Sequence, residues 1–117
     1  MQFNHSESPA AVVSGVTITG CTSSALRFSG SSSPLILRCV IRENSAATHG
    51  GAVWAQDTSS PVFQDTTLVN NSAPGGSGGA VSAVGSASPS FENAVLSHNK
   101  AEMGGAVWAQ DLSLIHI

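Results

Sequence analysis

The chain has 117 residues, the size of one small domain, and Gly, Ala, Ser and Thr make up 54 of them. Only 9% are charged and the net charge is −3. That excludes long Leu/Glu/Lys-rich amphipathic helices and a basic surface that grips phosphates, so no nucleic-acid partner is expected. An apolar share of 41% with so little charge favours an ordered, mostly β chain over a disordered one.

Two cysteines, Cys21 and Cys39, are too few for a disulfide scaffold or a zinc cluster. No apolar run approaches the ~20 residues of a membrane-spanning helix, so this segment is not expected to insert into a membrane. The opening Met1-Gln2-Phe3-Asn4-His5-Ser6 lacks the basic-then-apolar order of a secretory signal.

Four units follow in chain order, approximately 8–32, 33–59, 60–87 and 88–111. The first contributes Val13, Gly15, Val16 and Ile18, then Ala25-Leu26-Arg27-Phe28. The second opens at Ser33-Pro34, carries Ile36, Cys39, Ile41 and Asn44, and closes on Gly50-Gly51-Ala52-Val53-Trp54-Ala55-Gln56-Asp57. In the third, Ser60-Pro61 leads to Phe63, Thr66, Leu68 and Asn71. A Gly-rich loop, Pro74 to Gly79, then lengthens the circuit before Ala80-Val81-Ser82-Ala83. The fourth runs from Ser88-Pro89 through Phe91, Ala94, Leu96 and Asn99 to an octapeptide, Gly104 to Asp111, identical to that of the second.

The Gly-Gly pairs recur after 28 and then 26 residues, Ser-Pro marks the same period from Ser8-Pro9 onward, and Asn44, Asn71 and Asn99 each stand ten positions after a proline. Each unit contains three short, alternating segments bounded by turn residues, the pattern of strands. Between the first two, at Arg38, Asp65 and Asn93, the apolar spacing widens from two residues to three. The inner face is kept there only if the strand bends, and Asn, Asp and Gly tolerate the left-handed backbone of such a corner; Arg38 departs from that rule. The expected fold class is all-β: a right-handed parallel β-helix of about four circuits of three short strands, stacked ~4.7 to 4.9 Å apart. Val81 should then lie between Val53 and Val107.

Gly-Gly-Ala-Val following Asn-x-Ala resembles the GGA[I/L/V] repeats of the chlamydial-type polymorphic outer membrane proteins, within the pectin-lyase-like superfamily of right-handed parallel β-helices. The companion FxxN motif is shifted, because Phe63 and Phe91 are followed by Asp65 and Asn93 one position early. The resemblance covers roughly residues 8–111. It implies an extracellular or cell-surface setting and a larger protein with further circuits at both ends. Leu112-Ser113-Leu114-Ile115-His116-Ile117 breaks the pattern and resembles a translated sequencing-adapter end, so 112–117 is set aside as a non-native tail.

The column Arg27, Trp54, Ser82 and Trp108 is mixed in character, which marks it as the outer face and as the candidate binding column for a glycan or a surface protein. The alternative role of the tryptophans is to cover outward-facing Ala52, Ala80 and Ala106. Asn44, Asn71 and Asn99 are expected to form a structural amide ladder. Neither a metal nor a cofactor is expected: Asp57 and Asp111 are two circuits apart, and His49 and His98 occupy different columns. No catalytic residue is assigned. Arg38, Asp65 and Glu92 sit on successive circuits, with Arg38 and Asp65 expected to form a weak exposed ion pair and no acid–base motif beside them. Pro74 to Gly79 lacks the Lys-Ser/Thr and helix of a phosphate loop. Asn4 and Asn70 fit the N-glycosylation pattern. The expected function is therefore a non-catalytic structural and adhesive segment, the alternative being a fragment of a carbohydrate-active β-helix enzyme whose site lies on other circuits.

Overall fold

The computed structural model describes residues 1–3 and 11–109. Fifteen short strands lie in this order: β1 Gln2–Phe3, β2 Val12–Ser14, β3 Thr17–Thr19, β4 Leu26–Phe28, β5 Leu35–Leu37, β6 Val40–Arg42, β7 Val53–Ala55, β8 Val62–Gln64, β9 Thr67–Val69, β10 Ser72–Ser77, β11 Val81–Ala83, β12 Ser90–Glu92, β13 Val95–Ser97, β14 Lys100–Met103 and β15 Val107–Ala109. All pairings are parallel, each strand bonding to its counterpart one circuit away. The stack thus has three long sheets, ordered β2-β5-β8-β12, β3-β6-β9-β13 and β1-β4-β7-β11-β15, with β10-β14 as a fourth, shorter one. Among the described residues there is no helix.

The registers are those of the repeat. Val13, Ile36, Phe63 and Phe91 form one ladder, Ile18, Ile41, Leu68 and Leu96 a second, and Leu26, Val53, Val81 and Val107 a third, with Val81 between Val53 and Val107. Leu26, Ile36, Ile41, Val53, Phe63, Leu68 and Val81 are fully buried, each contributing roughly 1.5–3 kcal/mol of transfer free energy. Phe63 stacks on Phe91 at 4.8 Å between ring centroids and meets Phe28 edge-on at 5.9 Å, above the small Ala55 and Ala83 of the Phe28 column. Cys39 and Thr66 occupy the narrow slot between the first two sheets, where Thr66 Oγ1 donates to the Gln64 carbonyl at 2.9 Å.

The corners explain the change of spacing. Gly15, Arg38, Asp65 and Asn93 have φ of 68°, 51°, 50° and 51°, so the chain pivots there on one left-handed residue. Arg38 adopts this backbone despite its side chain, at a cost of about 1–2 kcal/mol that the surrounding ladders impose. A second corner, at Gly20, Glu43, Asn70 and His98, and a third, at Gly30, Asp57 and Gly85, are left-handed as well. The second and third corners carry no common residue type, and pattern reading did not find them.

Two expectations need correction. Pro74 to Gly79 is not a free loop: Ser72–Ser77 is β10, paired with β14 through Ser72↔Lys100, Ala73↔Ala101 and Ser77↔Met103. The two residues that distinguish the 28-residue from the 26-residue spacing are absorbed in the bulge between Ala73 and Ser77. Ala52 and Ala80 are not outward: both are fully buried, because the chain bends at the Gly-Gly pair and Ala52 N–H and Val53 N–H share the Ala80 carbonyl at 3.1 and 2.8 Å. The pair itself is required by backbone crowding. A Cβ on Gly51 would lie 2.5 Å from the Gly79 oxygen, and one on Gly79 would lie 2.2 Å from the Gly105 oxygen. In addition to the four units, β1 (Gln2–Phe3) pairs with β4, with Gln2 in register with Arg27. Ser8-Pro9, Asn4, Asp111 and the 112–117 tail lie outside the described residues.

Candidate functional site

The third sheet aligns Arg27, Trp54, Ser82 and Trp108 on successive strands β4, β7, β11 and β15. Their side chains alternate with inward Leu26, Val53 and Val81, so they leave the sheet on its outer side. The column is less open than a bare outer face. Ser82 is fully buried between the two tryptophans, while Arg27, Trp54 and Trp108 are half-buried.

Trp54 is the hub. The Arg27 guanidinium carbon lies 4.2 Å from the indole centroid, a cation–π contact. The His49 imidazole packs against the same indole at 4.5 Å with a 32° tilt. His49 reaches it because the segment before Gly50-Gly51 is held alongside β10 through the His49↔Ser77 bridge, with Gly50 N–H donating to the Ser77 carbonyl at 3.0 Å. The sequence places His49 in a variable loop; its position five residues before Trp54, ahead of a sharp Gly-Gly bend, is the signal that could have joined them.

Ser23, Ser24, Arg27, Thr48, His49 and Trp54 line a cleft of about 110 Å³ beside this stack. Ser24 Oγ donates to the His49 carbonyl at 3.1 Å, which ties one wall to the other. Arg27 Nε, His49 Nδ1, Trp54 Nε1 and Ser82 Oγ are all buried with no hydrogen-bond partner among the described residues. Buried polar atoms are ordinarily paired, so the four orphans on one column and its neighbour set this region apart among the described residues.

The remaining sites are structural. Asn44 Nδ2 donates to Asn71 Oδ1 at 3.0 Å and Asn71 Nδ2 to Asn99 Oδ1 at 3.1 Å. The same amides donate to the preceding circuit's carbonyls of Ile18, Ile41 and Leu68 at 3.2, 3.0 and 3.1 Å. Arg38 and Asp65 share a corner column without an ion pair. Asp65 Oδ1 instead accepts from Asn93 Nδ2 at 2.6 Å, and Glu92 accepts from Gln64, its neighbour in register. Among the described residues the surface ion pair is Arg42–Glu43 at 3.1 Å, both side chains about half exposed. Among the described residues no group of three His, Cys, Asp or Glu converges as a metal site. Asp57 Oδ2 accepts from Gly30 N–H at 2.9 Å, which makes it a corner residue.

The family model described as "Right handed beta helix region" matches residues 3–114. The chain belongs to the right-handed β-helix family. Its coil is thereby right-handed, the sense that parallel crossovers favour. Comparison with curated proteins and with solved structures yields no match.

Proposed function

We propose that this β-helix segment is a non-catalytic spacer and adhesive face of a larger cell-surface or secreted protein, binding glycans or surface proteins through its third sheet. The observation that carries the reading is the in-register column Arg27, Trp54, Ser82 and Trp108 with the cleft at Trp54. A solenoid repeats one outer column every circuit, so weak contacts linked along the axis gain avidity without a deep pocket. The stacked Gly-Gly-Ala-Val segments are the part of the sequence similar to the polymorphic outer membrane proteins, which supports a surface location.

The test is retention of the folded chain on a glycan array and on immobilised host-cell surface proteins, for the natural sequence and for a Trp54→Ala/Trp108→Ala double variant. Binding that falls at least tenfold in the double variant, with the far-UV circular dichroism unchanged, supports the reading. Undiminished binding by a folded double variant, or no binding by either protein, refutes it.

A further inference from the structure

The sheet β2-β5-β8-β12 carries apolar side chains on its outside, where stacking asks for none. Val12, Leu35 and Val62 form one outer column with Leu37 beside it; Val12 is 52% exposed and the other three are half-buried. The same face turns polar along the axis, with Gln64 beside Val62 and then Ser90 and Glu92. At its edge runs the corner column Gly15, Arg38, Asp65 and Asn93. Arg38 holds a φ of 51° there, is exposed, and forms no ion pair among the described residues, although Asp65 stands one circuit away. Nothing within the chain compensates that strained cation. We propose that this face pairs two copies of the chain, related by a two-fold axis that runs along the strands between β5 and β8.

That axis keeps every column on itself and reverses the order of the circuits, so β5 of one copy faces β8 of the other and β2 faces β12. Leu35 then meets the partner's Val62, and Arg38 the partner's Asp65, each contact occurring twice by symmetry. The partner's Glu92 follows one circuit on, ~4.8 Å along the stack, so each Arg38 is set against two carboxylates. An axis parallel to the stack would reverse the columns instead and take Arg38 away from Asp65. The distribution of charge favours the same reversal. Residues 11–59 carry Arg27, Arg38 and Arg42 against Glu43 and Asp57, whereas 60–109 carry Lys100 against Asp65, Glu92 and Glu102. Reversing the circuits lays the more basic half on the acidic one. With strands ~4.8 Å apart and a rise of ~3.3 Å per residue, the patch measures roughly 20 by 15 Å, about 300 Å². A stable complex buries ~800 Å² on each partner, so this pair is transient and forms at high local concentration. An isologous contact of this kind closes on itself and stops at two copies.

Sedimentation equilibrium of the full chain up to about 1 mM measures the pairing, and a monomer–dimer equilibrium without larger species is expected. Arg38→Glu and Asp65→Lys should each weaken the dimer tenfold or more, because each sets like charges face to face at both symmetry-related contacts. An equimolar mixture of the two variants should recover a dimer within threefold of the natural one, since the substituted positions then oppose each other with opposite charge. A charge effect confined to one chain cannot produce that recovery. Arg42→Glu makes the same change in net charge on a different corner and should alter the equilibrium less than twofold. Leu35→Thr, whose β-branched side chain suits an outer strand position, tests the apolar part and should weaken the dimer threefold or more. Far-UV circular dichroism checks that each variant is folded; if a corner variant is not, Leu35→Thr and Arg42→Glu decide. The proposal is overturned by a chain that stays monomeric at about 1 mM, by growth beyond the dimer, or by a mixture of folded corner variants that does not recover. It also falls if a folded Leu35→Thr dimerises as the natural chain does, or if Arg42→Glu costs as much as Arg38→Glu or Leu35→Thr.

Discussion

Replacing Asn71 by leucine isolates what the amide ladder contributes, because leucine keeps the volume and removes every polar bond. Asn71 is 1% exposed and its side chain makes four hydrogen bonds. Oδ1 accepts from Asn44 N–H at 3.2 Å and from Asn44 Nδ2 at 3.0 Å, while Nδ2 donates to the Ile41 carbonyl at 3.0 Å and to Asn99 Oδ1 at 3.1 Å. At a net ~0.5–1.5 kcal/mol for each bond, the loss is about 2–6 kcal/mol. The buried Asn44 N–H, left without its acceptor, alone accounts for ~1–3 kcal/mol of that. Asn44 and Asn99 have three such bonds each through their side chains, so the same substitution there should cost less. Urea unfolding followed by far-UV circular dichroism gives the three values, with native-state hydrogen exchange at Asn44 N–H as a local check. The reasoning fails if Asn71→Leu costs under ~0.5 kcal/mol, the usual effect of a surface substitution. It fails equally if the Asn99 variant is the most damaged of the three.

Two further substitutions probe the packing. Gly51→Ala puts a Cβ 2.5 Å from the Gly79 oxygen and from Ser72 N, backbone atoms that cannot rotate away, so about 3 kcal/mol is expected, the upper range for overpacking. Gly15→Ala, whose Cβ meets nothing within 4 Å but whose φ is 68°, should cost only about 1–2 kcal/mol; equal urea midpoints for the two would contradict this. Ser82→Ala removes a fully buried hydroxyl with no partner and should raise stability by about 1 kcal/mol, read as an upward shift of the thermal midpoint. A fall in that midpoint would mean that Ser82 Oγ is satisfied in solution.

What could be read from the residues was whatever repeats. Val53, Val81 and Val107, or Asn44, Asn71 and Asn99, name their column three times, and stacking identical chemistry is self-consistent, so register and ladder followed from spacing alone. The second and third corners use Glu43, Asn70 and His98, or Gly30, Asp57 and Gly85, at equivalent positions; backbone geometry is common to them while side-chain type is not. Strand β10 was hidden for a related reason. Pro74-Gly75-Gly76 has the composition of a loop, yet a Cβ on Gly76 would lie 1.8 Å from the Thr48 oxygen, so the glycines permit close pairing with the neighbouring circuit. The His49–Trp54 contact depends on how that crowded segment is held, which no periodicity records.

The same distinction locates the site. In a solenoid every column is constrained by its neighbours above and below, and most positions here are accounted for by that constraint. Valine, isoleucine, leucine and phenylalanine fill the interior, asparagine caps carbonyls along one edge, and the left-handed corners explain Asp65, Asn93 and Asp57. Stacking does not demand arginine, tryptophan, serine and tryptophan in one column, since their volumes and polarities mismatch and all but Trp108 have unpaired buried atoms. Burying a polar atom without a partner lowers stability unless something outside the chain supplies the partner. The residues of this column therefore give a poorer solution to folding than alanine would. They concentrate a cation, an imidazole and an indole at one cleft, and it is on this concentration that the proposed binding face rests.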